Sequence, residues 1–86
     1  MDHTITGRQI AAARTLIGLT QAELADAANI SVPTLKRMEA SNGPASGLSN
    51  NVAAVRTALE AAGVEFIAEN GGGPGVRLRK KGKVRK

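Results

Sequence analysis

The chain has 86 residues, 42% of them apolar, a formal net charge of +5, no cysteine and one aromatic residue, Phe66. That length suits one domain with one modest core, and without cysteine there is neither a disulfide framework nor a thiolate metal site. The amino end has no long apolar run of the secretory kind, and no stretch approaches the ~20 apolar residues of a membrane span; the expected protein is cytoplasmic, with no membrane partner.

Residues 1–5 read as a loose leader, with His3 in solvent rather than at a ligand. Thr6 followed by Gln9 is a capping box, so a first helix is expected over 7–17, closed by Gly18. Ile10, Ala13 and Ile17 form its inward stripe, at spacings of three and four. Arg14 falls on the same side and either has a partner there or extends its head to solvent.

Thr20 and Glu23 form a second capping box. The helix it opens carries Leu24, Ala25 and Ala28 on one face and stops at Asn29, which tolerates a left-handed turn. Ser31 is the N-cap of a third helix, Pro33 sits in its first turn, and Leu35 and Met38 point inward. Helix, three-residue turn, helix is the helix-turn-helix arrangement.

These residues also carry a resemblance. Arg14, Leu19-Thr20-Gln21, Leu24-Ala25, Ile30-Ser31, Leu35 and Glu39, taken together, resemble the Cro and phage-repressor (XRE-type) DNA-binding family. The resemblance covers roughly residues 7 to 62. It implies that Arg14 pairs with Glu39, a structural clamp between the first and third helices.

Residues 42–47, Asn-Gly-Pro-Ala-Ser-Gly, are a loop by composition. A fourth helix is expected over 50–62, with Ser49 as N-cap, Val52, Val55, Leu59 and Ala62 inward, and an optional extra turn near Leu48. From Val64 the period changes to two, and 64–69 and 75–79 read as a β-hairpin across a glycine-rich connector. A lone hairpin is marginal in water, so it needs a surface. A second copy of the chain is the expected supplier, with Val64, Phe66, Ile67, Val76 and Leu78 at a two-fold interface.

Seven of the twelve basic residues, Arg77, Arg79, Lys80, Lys81, Lys83, Arg85 and Lys86, crowd the carboxyl end. Residues 1–76 hold five basic and seven acidic residues, a net of −2. A case for nucleic acid from isoelectric point alone would therefore concern only the last ten residues. The expected organisation is mainly α: a four-to-five-helix repressor-like domain over 1–63, a C-terminal β-hairpin over 64–79 serving dimerisation, and a disordered basic tail over 80–86.

The resemblance implies a sequence-specific regulator on double-stranded DNA, probing the major groove with residues 32–40. Val32, Pro33, Lys36 and Arg37 then occupy the base-contacting positions. Arg37 and Lys36 can donate to guanine O6 and N7, whereas Val32 and Pro33 offer only apolar contact, as to thymine methyls. Gln21 matches the family's phosphate-contacting glutamine. Thr20, Ser31, Thr34, Arg8 and Asn42 are further phosphate candidates.

No enzyme is expected. One terminal histidine cannot build a Ser-His-Asp site, and glycines 71–75 match neither phosphate-binding fingerprint. No metal or cofactor is expected. Two alternatives use the same residues differently: an antitoxin or anti-activator binding a protein partner through the hairpin, and a sequence-blind binder acting through its tail.

Overall fold

The structure, a computed structural model, describes residues 4–79; the expectations for His3 and for the tail 80–86 lie outside the described residues. Four helices precede one antiparallel strand pair: α1 (Gly7–Leu16), α2 (Gln21–Ala28), α3 (Val32–Glu39), α4 (Ser49–Ala61), β1 (Val64–Ile67) and β2 (Gly75–Leu78).

Local chemistry explains the first three helices. Both capping boxes form: Thr6 Oγ1 accepts from Gln9 N while Gln9 Oε1 accepts from Thr6 N, and Thr20 and Glu23 repeat the exchange. Asn29 ends α2 in the left-handed conformation, at φ 59°. Ser31 Oγ accepts from Thr34 N to open α3.

The fourth helix starts earlier than its sequence suggests. Leu48, not Ser49, is the N-cap; its extended backbone sets its carbonyl to accept from Asn51 N and Val52 N. This replaces the extra turn considered near Leu48. Val55 and Leu59 are fully buried and Val52 is half-buried, but Ala62 is exposed, because it caps the helix instead of lying on the inward stripe.

The leader is not loose at its end. Ile5 is buried in the core, its carbonyl accepts from Ala45 N, and Thr6 forms a bridge with Pro44. An apolar residue beside a short loop is drawn in by burial, which the turn-rich sequence around it conceals. One cluster joins Ile5, Ile10, Ala13, Leu24, Ala25, Leu35, Met38, Val55, Leu59, Val64 and Phe66.

Close approach of backbones sets where α1 crosses the end of α3. A Cβ on Gly7 would stand 2.4 Å from Met38 O and 2.8 Å from Ser41 O. Only glycine fits there without a shift. Gly7 N donates to Gly43 O, pinning the loop after α3 to the start of α1.

The hairpin pairs Val64 with Leu78, Glu65 with Arg77, Phe66 with Val76 and Ile67 with Gly75. Its strands are shorter than expected, ending at Ile67 and Leu78. The surface it needs comes from this chain's own α1 and α4, so its order does not require a second copy. Val64 and Phe66 are buried within the protomer; Ile67 and Val76 are half-buried and Leu78 is 50% exposed. The Arg56 guanidinium lies 5.7 Å from the Phe66 ring centroid, a cation–π contact over the ring, and ion-pairs with Glu60 at 3.0 Å.

Candidate nucleic-acid interface

One side of α3 is committed to the core and the other is available. Leu35 and Met38 are fully buried, while Pro33, Lys36 and Arg37 are exposed. Val32 and Thr34 are half-buried, and Val32 rests against the core, so only part of its side chain can reach outward. The Arg37 guanidinium makes one long bond, 3.5 Å to Thr34 Oγ1. A contact that weak leaves it free to reorient.

Three elements meet at the Glu39 carboxylate. Arg14 Nε donates to Oε2 at 2.7 Å and Arg14 Nη2 donates to Oε1 at 3.1 Å, a two-pronged fork. Arg14 Nη1 also donates to Leu19 O at 3.0 Å, and Gln21 Nε2 donates to Glu39 Oε1 at 3.0 Å. The side chains of Arg14 and Glu39 are only 19% and 7% exposed. α1 therefore grips both the entry to α2 and the end of α3, which fixes how the two helices of the motif present themselves. Pairs of this burial set geometry more than they add net stability.

Sequence and geometry agree on the family. Residues 10–48 match a helix-turn-helix family. They form a helix-turn-helix domain of the Cro and phage-repressor (XRE) type. No curated protein matches the chain. The match is narrower than the 7–62 that the resemblance covers, and α4 and the hairpin lie outside it. DNA binding is the activity such a domain implies.

The helix-turn-helix domain distributes its charge accordingly. Among the described residues, three cations are held by carboxylates: Arg14 by Glu39, Arg56 by Glu60 and Arg77 by Glu65. Arg8, Lys36, Arg37 and Arg79 have no carboxylate of the described residues within ion-pair distance. Two of these four project from α3, and a third, Arg8, donates from Nη2 to Asn42 Oδ1 at 3.3 Å, just past the end of α3. Arg79 Nη2 donates to Glu60 O on the far element, α4.

The other phosphate candidates sit at helix starts. Thr20 and Ser31 are occupied as caps, and Ser31 Oγ also donates to Thr34 Oγ1 at 2.8 Å. Gln21 gives one amide hydrogen to Glu39; an amide carries two, and no hydrogen bond among the described residues takes the second.

Gln9, legible in the sequence as a cap, does more. It is 5% exposed, and its Nε2 donates to Ile67 O at 3.1 Å and to Gly75 O at 2.9 Å. One side chain thus caps α1 and fastens both hairpin strands at their turn end. Its position four before Ala13 puts it on the inward face, which was the available signal. Among the described residues no group of three or more histidines, cysteines or carboxylates is placed to hold a metal. No helix is long and apolar enough to cross a membrane.

Proposed function

We propose that the protein is a sequence-specific, repressor-like transcriptional regulator that places α3 in the major groove. The observation that carries this reading is the pairing pattern around α3. Its inner face and its end are locked by the core and by Glu39, while Lys36 and Arg37 on its outer face lack carboxylate partners among the described residues. In this reading Arg37 and Lys36 donate to guanine O6 and N7, and Pro33 with the exposed part of Val32 contacts thymine methyls. Gln21, Arg8 and Asn42 hold phosphates on either side and set the register; Thr20, Ser31 and Thr34 contribute from the helix starts.

Two copies act together, their α3 helices one DNA turn (~34 Å) apart on an imperfect palindrome. Support for the pair is the apolar surface the hairpin leaves open, Leu78 with the half-buried Ile67 and Val76, and one unpaired edge on each strand.

Selection of bound sequences from random DNA at about 0.15 M salt, with the native protein and a Lys36→Ala/Arg37→Ala variant, tests this. The expected result is a two-fold motif that the variant no longer recovers, and a reporter behind that motif whose output falls when the protein is expressed. If no motif emerges from native protein, α3 is not reading DNA, and a protein partner on the hairpin becomes the better explanation. A motif without two-fold symmetry removes the pair alone.

A further inference from the structure

Asparagine is chemically perishable when the next backbone nitrogen can reach its side-chain carbonyl carbon. The chain has five: Asn29, Asn42, Asn50, Asn51 and Asn70, of which Asn42 and Asn70 precede glycine. At four of them the nitrogen that would attack is engaged. Ile30 N donates to Ala25 O, while Asn51 N and Val52 N both donate to Leu48 O. Gly71 N donates to Glu69 Oε2 at 2.9 Å; the Asn70 carboxamide oxygen, like that of Asn42, accepts one donor, Gly72 N at 3.2 Å.

Asn42 differs at the nitrogen that would attack. No hydrogen bond among the described residues engages the Gly43 N–H, and the space beside the Gly43 α-carbon is open, as it is beside Gly71. Both Asn-Gly pairs lie in bends, outside any helix or strand. Arg8 Nη2 donates to Asn42 Oδ1 at 3.3 Å, the oxygen on which negative charge develops when the carbonyl carbon is attacked. A donor aimed at that oxygen stabilises the tetrahedral intermediate.

We propose that Asn42–Gly43 is a self-modification site, at which Arg8 assists deamidation of Asn42 and the carboxylate formed weakens DNA binding. The Gly43 nitrogen, its proton lost to water, forms a bond to the Asn42 side-chain carbonyl carbon. The bond to Nδ2 breaks, and that nitrogen leaves as ammonia, giving a five-membered imide. Water then adds to either imide carbonyl and reopens the ring, as aspartate or as isoaspartate. The net change is one water consumed, one ammonia released and one negative charge gained.

The consequence for binding rests on the DNA-reading proposal above. The new carboxylate pairs with Arg8 and faces the phosphate that Arg8 and Asn42 would otherwise hold. The isoaspartyl product also inserts a carbon into the backbone of residue 42, just before Gly43, whose carbonyl accepts from Gly7 N.

The test ages the full-length protein at neutral pH and physiological temperature, and follows each asparagine by peptide mass mapping and isoaspartate labelling. Asn42 is expected to convert about tenfold faster than Asn70, which must first give up a hydrogen bond. Arg8→Gln slows conversion by roughly 3- to 10-fold, less than for a buried oxyanion donor because this site is open to water. Asn70 converting as fast as Asn42 overturns the site. So does an intact Asn42 in folded protein under conditions where the urea-unfolded chain converts there. Affinity for the selected DNA should fall about fivefold or more both in aged protein and in Asn42→Asp, with a shallower salt dependence as the phosphate contact is lost. Unchanged affinity after full conversion overturns the effect on binding. Absence of DNA binding by fresh protein overturns the functional reading instead, since the conversion is scored by mass alone.

Discussion

Arg37 and Glu39, two residues apart on α3, have opposite fates set by which way the helix turns them. Arg37 is exposed and loosely held, so in the proposed reading its value is realised on DNA. Arg37→Ala is expected to cost about 1–3 kcal/mol on the preferred site and to relax base preference, with non-sequence-specific binding much less affected; competition titrations against mutated sites measure both. Glu39 is almost fully covered and accepts from Arg14 twice and from Gln21 once. Glu39→Gln should lower unfolding stability in urea by about 1–3 kcal/mol, below the loss for a fully buried pair because Arg14 retains some solvent. The Arg14–Glu39 pair was legible through the family resemblance. The third member, Gln21, was legible only as a phosphate ligand, because its reach to Glu39 depends on how α2 meets α3.

The hairpin shows how one element is held by another. Glu65 and Arg77 face each other across it, with Arg77 Nε donating to Glu65 Oε1 at 2.6 Å. That hydrogen bond, then the charge of Arg77, with a smaller part from Arg79, holds the Glu65 carboxyl below its ordinary value. A lowered carboxyl contributes stability above its unfolded-state pKa and loses it as pH falls through the folded-state value, so the pair acts at neutral pH and fails only in acid. An NMR titration should place the Glu65 midpoint below the usual glutamate range, and Arg77→Gln should move it back up. The tie to α1 matters more. Gln9→Ala removes two donors to hairpin carbonyls and should speed amide exchange in β1 and β2, with a global loss of about 1–3 kcal/mol. At the crossing of α1 and α3, Gly7→Ala forces backbone apart and should cost about 1–3 kcal/mol in thermal or urea unfolding. The period-two pattern made the hairpin visible, but not that Val64 and Phe66 face this chain's own helices, since alternation gives a buried face without naming what covers it.

Across the whole molecule the net charge of +5 is a poor guide. Carboxylates hold three of the cations among the described residues, and Arg77 is one of them, so the cluster of seven at the carboxyl end is not seven free charges. Deleting residues 80–86 removes five cations, Lys80, Lys81, Lys83, Arg85 and Lys86. If all five meet phosphates, the slope of log K against log salt should flatten by up to about 4.5. Base preference should stay with α3. Binding isotherms over a salt series, for full-length and truncated protein on preferred and scrambled DNA, separate the two contributions.

The helix-turn-helix was settled by local chemistry. Capping pairs three apart, a turn residue that accepts a left-handed conformation and apolar stripes at helical spacing each act within a few residues, so the sequence alone determined α1, α2 and α3, the inward face of each and the family. Contacts between distant residues carry no such local signal. Only the tertiary structure decided that Ile5 closes the core, that Gly7 lies on the end of α3, that Gln9 fastens the hairpin, and that Val64 and Phe66 belong to the protomer's interior. It also decided which of two Asn-Gly pairs has its glycine N–H hydrogen-bonded among the described residues. Each depends on what the folded chain brings alongside, and burial and hydrogen bonding act on the neighbour in space.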